Sequence, residues 1–409
     1  MLRAGDSPYT GVSVNVAGSE RLNFGSCSYL GLELRDELKQ GVIDAVTKYG
    51  TQFPFAKPQL ECALYGELQS ALEQMTDGKA VIASSATLAH LAAVPALMVS
   101  RDAIIVDRLA HASLYTAISL LKNTHVEHLP HNCMDLLAER VEALSKTHER
   151  VWYVLDGVYS MSGDFAPIEA LASLLDMFPR LHLYADDAHC TSWLGTHGRG
   201  LTLDALPDRS RVIVTLSLNK AFSAGGAALI VPTEEFRDRI RNAGAAMMFS
   251  GPLQPPMLGA AAASAKLHLT TEFAELQTEL RARIHRVHEL ADGYGIKLGT
   301  TDETPICFIP CGRDEAMFEL FHALGREGFF VAPAVFPAVP QGKAGLRLTV
   351  SLHNRPEDTE RLMSVLDVEM RKITEVMTYQ ARLQPALAPT RASQSPHARS
   401  SQTPPGRVA

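Results

Sequence analysis

Short apolar runs alternate with stretches of helical period through much of the chain. The runs at 80–83, 103–106, 151–155, 182–185, 212–216 and 227–231 are rich in Val, Ile, Leu and Ala. Their length and composition suit strands buried on both faces. Between them, 87–98, 114–122, 134–144 and 167–175 carry apolar residues at helical spacing. Strands alternating with helices imply βαβ units and a largely parallel sheet. Two helices precede this region. One is 36–49, with Leu38, Val42, Ile43, Val46 and Tyr49 on one face; the other is 64–76, closed by Asp77-Gly78. Ahead of both, 22–32 reads as a short extended piece with a turn at Gly31. After a proline-rich stretch, 258–291 reads as one long helix. Strands at 305–310, 329–331 and 346–350 and a helix at 314–327 follow, the pattern of a smaller α+β domain. The expected layout is an N-terminal arm and segment to 45, a large domain over 46–250, a small domain over 251–378 and a tail over 379–409. The tail is rich in Pro, Ser, Ala, Gln and Arg and is expected to be disordered.

Composition narrows the classes. Of 409 residues, 46% are hydrophobic and 20% charged, enough for a substantial core. The net charge of −7 offers no basic surface for nucleic acid or an anionic membrane. The cysteines (Cys27, Cys62, Cys133, Cys190, Cys307, Cys311) are scattered, with neither a C-x-x-C pair nor zinc spacing, so no metal site is expected. Residues 1–20 hold no apolar signal core and no run is long enough to span a bilayer. Reduced thiols in a cytoplasmic protein are the expectation.

The candidate chemistry follows the strands. Ser84-Ser85, 107–111, 156–160, 186–189 and 217–220 each come just after a predicted strand. In open α/β sheets ligands bind at those carboxyl ends. Lys220 follows a buried strand, where desolvation lowers the pKa of an amine and makes it nucleophilic towards an aldehyde. A lone lysine there is ordinarily a solvated loop residue. Asp186, after another apolar strand, changes that reading. A lysine that holds an aldehyde and a carboxylate that keeps a ring nitrogen protonated are what pyridoxal phosphate requires. Ser84-Ser85-Ala86-Thr87 opens a helix, either as an anion site or as a plain serine cap. Ser217, with Gly225-Gly226 downstream, suits a phosphate held near the imine. The Gly195–Gly200 segment lacks G-x-G-x-x-G spacing and no P-loop lysine motif occurs, which argues against nucleotide hydrolysis and hydride transfer. Arg347 lies inside an apolar strand, so its guanidinium is either ion-paired internally or kept for a carboxylate ligand.

Taken in order, several stretches resemble the α-oxoamine synthase family of fold-type I pyridoxal-phosphate enzymes. They include Ser28-Tyr29-Leu30-Gly31-Leu32, Asp107-Arg108-Leu109-Ala110-His111-Ala112-Ser113 and His131-Asn132. Asp156-Gly157-Val158-Tyr159-Ser160-Met161-Ser162-Gly163-Asp164, Ala166-Pro167, Asp186-Asp187-Ala188-His189, Gly198-Arg199-Gly200, Ser217 with Lys220-Ala221-Phe222, Phe249-Ser250 with Pro255-Pro256, and Leu346-Arg347-Leu348 complete the set. The similarity runs from about 22 to 366. It implies the α/β fold of type I pyridoxal-phosphate transferases: a large domain with a mainly parallel sheet between helices, and a smaller α+β C-terminal domain. By the same resemblance Lys220 holds the cofactor and moves the substrate's α-proton, and Asp186 pairs with the ring nitrogen. His189, assisted by Ser160, meets the phenolic oxygen, and His111 stacks on the ring. Ser217 and the turn of Ser84, Ser85, Ala86 and Thr87 hold the phosphate, with Ser250 reaching in from a partner subunit. Arg347 grips the amino-acid carboxylate, and Ser28 lies by the substrate entrance. The implied reaction joins an amino acid to an acyl thioester of coenzyme A or a carrier protein, usually with decarboxylation, in a cytoplasmic homodimer. An aminotransferase or lyase of the same fold and a non-catalytic partner subunit are the alternatives. Departures from the family pattern cluster near the entrance: Cys27-Ser28, Phe53-Pro54-Phe55-Ala56, Asp187 and Ser223-Ala224.

Overall fold

A computed structural model describes residues 2–55 and 59–383 of the chain. The chain opens with a hairpin, β1 (Ser13–Val16) and β2 (Ser19–Asn23), turned by Ala17 and Gly18, both at positive φ. Helices α1 (Asp36–Tyr49) and α2 (Ala63–Thr76) lead into the large domain. There β3 (Lys79–Ala83), α3 (Ala86–Leu97), β4 (Ala103–Asp107), α4 (Ala112–Ile118), β5 (His125–Leu129), α5 (Met134–Leu144) and β6 (Val151–Asp156) come in turn. They are followed by α6 (Ile168–Met177), β7 (Leu181–Asp186), α7 (Leu201–Ala205), β8 (Val212–Ser217) and β9 (Ala227–Val231). The strands form one seven-stranded sheet in the order β3-β9-β8-β7-β6-β4-β5, parallel except for β9.

Alternate side chains of this sheet serve two cores. Ile104, Val106, Trp152, Val154, Tyr184 and Ile213 pack towards α3 and α4. Ile105, Tyr153, Leu155, Leu183 and Val214 pack towards α2, α5 and α6. Burial on both faces is why these strands are apolar throughout. Edge strand β5 reads His-Val-Glu-His-Leu and is half exposed, so it lacked the apolar run that marks the other six.

Helices α8 (Glu234–Ala243) and α9 (Ala245–Phe249) close the large domain. The stretch expected as one helix over 258–291 is two. Helix α10 (Pro255–His268) ends at Leu269-Thr270, and the Thr270 hydroxyl then accepts from Phe273 N–H to start α11 (Thr271–Tyr294). Helix α10 crosses α1 at very short range: a Cβ on Gly41 would lie 2.6 Å from the Gly259 carbonyl oxygen. The small domain adds β10 (Ile306–Gly312), α12 (Asp314–Arg326), β11 (Phe329–Phe330), β12 (Ala332–Ala334), β13 (Ala344–Thr349) and α13 (Pro356–Leu383). Its sheet has the order β10-β13-β12, whereas β11 pairs with β2, so the N-terminal hairpin belongs to this end of the fold. Of the tail expected to be disordered, 379–383 continue α13 and 384–409 lie outside the described residues. No helix among the described residues is long and apolar enough to cross a membrane.

Candidate active site

Parallel register brings the chemistry together. Asp156 at the end of β6 stands beside Asp186 at the end of β7, and Asp186 beside Thr215 of β8, two residues before Ser217. Lys220 opens the short 3-10 turn Lys220–Phe222 in the left-handed region, φ 49°, which a residue with a Cβ adopts only when its surroundings impose it. Its amine makes no hydrogen bond or ion pair among the described residues. Burial lowers its pKa against the opposing pull of the Asp186 charge.

Asp186 is buried. Burial alone would raise its pKa, but His90 and Lys220 outweigh it and hold the carboxyl well below the usual carboxylate range. Oδ2 meets His90 Nε2 at 2.9 Å, and Oδ1 accepts the Ala188 N–H at 2.9 Å. Each oxygen retains a further lone pair for a donor in the site. Asp156 moves the other way, raised by burial and by Asp186, and its Oδ1 accepts the His111 N–H at 3.0 Å. His189 is kept neutral, since burial and the neighbouring Lys220 and Arg347 push its pKa well down. Its Nδ1 lies 2.8 Å from the Tyr29 hydroxyl. His111 bonds to Ser113 Oγ at 2.7 Å and lines a cleft of about 630 Å³, with Tyr159 and Ser160 on the same wall.

Arg347 on β13 is buried and has no carboxylate partner among the described residues. Nε donates to the Ser160 carbonyl at 2.6 Å, and Nη2 approaches the Tyr29 hydroxyl at 3.4 Å and Cys27 Sγ at 3.7 Å. Nη1 makes no hydrogen bond among the described residues. Among the described residues, the alternative of an internal ion pair for this arginine is not formed.

The remaining candidates fall as follows. Ser85 Oγ caps α3, accepting from Leu88 N–H at 3.2 Å, which leaves the Ala86 and Thr87 N–H groups at the helix start. Ser84 Oγ is turned outward to the Gly251 carbonyl, 2.6 Å away. Ser217 is buried, and its Oγ accepts the Asn219 N–H at 3.3 Å. Ser250 donates to the Ala246 carbonyl of its own chain, next to Gly251. Ser28 is committed to Glu33, which also accepts from Ser223 Oγ at 3.3 Å and meets His353 Nε2 at 3.1 Å. Its neighbours Cys27 and Tyr29 are the ones that face Arg347. Ser160 acts on Arg347 through its carbonyl rather than its hydroxyl.

Two contributors had no role assigned from sequence. Tyr29 bridges His189 and Arg347, and His90 sits fully buried under Asp186 with its Nδ1 3.0 Å from the Tyr184 hydroxyl. The available signal for His90 was one imidazole in the otherwise apolar helix Ala-Thr-Leu-Ala-His-Leu-Ala-Ala-Val. Such a group needs partners once buried.

This donor set fits pyridoxal phosphate. It supplies an unpartnered amine of lowered pKa, a carboxylate held ionised beneath it and neutral imidazoles around it. The N–H groups at the start of α3 can meet a phosphate. Comparisons with known proteins agree. Residues 20–366 match the family described as aminotransferase class I and II. The 8-amino-7-oxononanoate synthase of Trichlorobacter lovleyi is 31% identical over 356 residues, covering 86% of this chain and 90% of that protein. Among solved structures, a serine palmitoyltransferase from S. paucimobilis with bound PLP-myriocin aldimine superposes with a TM-score of 0.84 at 21% identity, covering 91% of this chain and 93% of that one. An 8-amino-7-oxononanoate synthase from Francisella tularensis gives 0.74 at 22% identity, over 86% and 98% of the two chains. With Asp186 and Lys220 gathered at the strand ends of the large sheet and Arg347 of β13 in the same cluster, the chain belongs to the aminotransferase class I and II family and, within it, to the pyridoxal-phosphate-dependent α-oxoamine synthases.

Proposed function

We propose that the protein joins an amino acid to an acyl thioester, carried by coenzyme A or a carrier protein, and releases the thiol. Chief support comes from Arg347, a buried guanidinium that, among the described residues, has no bond at Nη1 and no carboxylate partner, in the same cluster as Lys220 and Asp186. A fork of this kind suits the carboxylate of an amino acid and fixes which bond of its α-carbon is presented for reaction.

When bound at Lys220, pyridoxal phosphate supplies an electron sink that acidifies the amino acid's α-hydrogen. Asp186, held ionised by His90 and Lys220, would pair with the protonated ring nitrogen and so sustain that sink. The Lys220 amine, its pKa lowered by burial, would take the α-proton. The N–H groups of Ala86 and Thr87, with Ser217, would hold the phosphate, and His111, which lines the cleft, would contact the ring. His189, oriented by Tyr29, would have its other nitrogen available for the phenolic oxygen. The α-carbon then bonds to the thioester carbonyl carbon, the C–S bond breaks and the thiolate leaves to be protonated. Loss of the original carboxylate as carbon dioxide, with a proton returned from Lys220 to the α-carbon, yields an α-amino ketone. The working unit is a cytoplasmic homodimer, with Ser250 and the exposed Phe249 near the partner.

A mass-spectrometric screen of amino acids against acyl-CoAs, with released thiol followed in parallel, tests this. Amino ketone and thiol should appear together and only when both substrates are present. Keto-acid formation without thioester consumption would assign the site to an aminotransferase instead.

A further inference from the structure

The cleft beside His111 has an unusual charge pattern. Its walls are mostly apolar, with Leu109, Met161, Phe308, Phe336 and Val339 among them, and no aspartate or glutamate among the described residues lines it. Yet it carries two fixed cations from separate parts of the fold: Arg108, just past β4, and Lys343, just before β13. Both are exposed, and neither side chain makes a hydrogen bond or ion pair among the described residues. The chain has 45 acidic residues against 38 basic ones, so an acid-free wall holding two unpaired cations runs against its overall balance. Apolar walls weaken solvent screening, and like-signed charges at one opening sum to a field that draws in and holds an anion.

The amino-acid carboxylate already has Arg347. The second substrate is what remains to account for these cations. We propose that the cleft receives the acyl donor, with its chain along the apolar wall and an anionic group of the donor against Arg108 and Lys343. This inference rests on the acyl-transfer reading and deepens it, because it requires the donor to carry negative charge. Two parts of a donor can supply that charge: the phosphates of the carrier or a carboxylate at the far end of the acyl chain.

The test compares wild-type holoenzyme with Arg108→Gln, Lys343→Gln and the double variant. Four donors are used, a monocarboxylic and a dicarboxylic acyl group of equal chain length, each on coenzyme A and on the phosphate-free thiol N-acetylcysteamine. The double variant should raise the donor KM roughly fivefold to tenfold, while the amino-acid KM and the bound-cofactor absorbance stay at wild-type values. A rise for both coenzyme A donors and for neither N-acetylcysteamine donor assigns the cations to phosphate. A rise for the dicarboxylic group on both carriers assigns them to the chain's carboxylate. In wild type the affected KM should also climb with ionic strength, and this dependence should flatten in the double variant. Direct titration of the donor onto holoenzyme reads the same contact without turnover. A wild type that binds the donor but does not condense it overturns the acyl-transfer reading alone. Equal donor affinity in wild type and double variant, with no difference in salt dependence, overturns the anion site.

Discussion

Asp186 and Arg347 carry opposite charges for different reasons, and single substitutions separate them. Asp186→Asn keeps the shape of the side chain and removes the charge that burial would have suppressed but for His90 and Lys220. Cofactor binding should survive, since the phosphate contacts and Lys220 remain. The rate of α-proton exchange should fall by roughly two to three orders of magnitude, measured by loss of deuterium from an α-labelled amino acid. Exchange at the wild-type rate would remove Asp186 from the chemistry. Arg347→Lys keeps the charge and loses the fork. With about 1.5–3 kcal/mol at stake for a charged hydrogen bond, the amino-acid KM should rise roughly tenfold to hundredfold and the thioester KM far less. Normal amino-acid affinity in the folded, cofactor-loaded variant would end the carboxylate role. At this scale the sequence named Lys220, Asp186 and Arg347 because an amine, an acid and a guanidinium among apolar neighbours each demand an explanation. It assigned nothing to His90 or Tyr29, because their meaning lies in contacts across 96 and 160 positions of chain.

Between elements, His131 ties the end of β4 to the loop that carries Tyr159 and Ser160. Its Nδ1 meets Asp107 Oδ1 at 3.0 Å, its Nε2 meets Asp164 Oδ2 at 2.7 Å, and its ring stands edge-on to Tyr159 at 4.3 Å. Burial alone would lower its pKa, but the two carboxylates outweigh burial and raise it to about 9. A raised folded-state pKa stabilises most below the unfolded value of about 6.5, and that contribution disappears as pH climbs through about 9. His131→Gln should therefore unfold at a lower temperature than wild type near pH 6, by an amount equivalent to about 1.5–3 kcal/mol. The gap should close towards pH 10 in calorimetric scans. A gap independent of pH would mean that the ring acts by packing alone. The six buried strands were readable because burial on both faces leaves a mostly apolar run, broken only by residues such as His182 and Thr215. Strand β5, half exposed at the edge, leaves none, and the break between α10 and α11 rests on the single cap Thr270 inside a pattern that reads as helical throughout.

For the whole molecule, the proposed homodimer has a specific weak point. Phe249 is 83% exposed at the end of α9, and the adjoining Gly251 carbonyl holds Ser84 beside the start of α3. An aromatic ring of that size so near the phosphate end of the site is suited to cover by a second chain. Phe249→Asp should shift sedimentation from dimer towards monomer and weaken cofactor retention with it. A variant that remains dimeric would place the interface elsewhere. The order of apolar runs and helical stretches determined, by itself, the alternating architecture and the strand ends where the chemistry gathers, since period and burial are local properties of a sequence. Only the tertiary structure decided that the N-terminal hairpin pairs with β11, that Arg347 points at Tyr29 and Cys27 rather than at an internal acid, and that Ser28 serves Glu33. Each of these is a contact between segments far apart in the chain. Which of several polar neighbours a buried charge meets depends on how whole domains pack, and no local pattern encodes that.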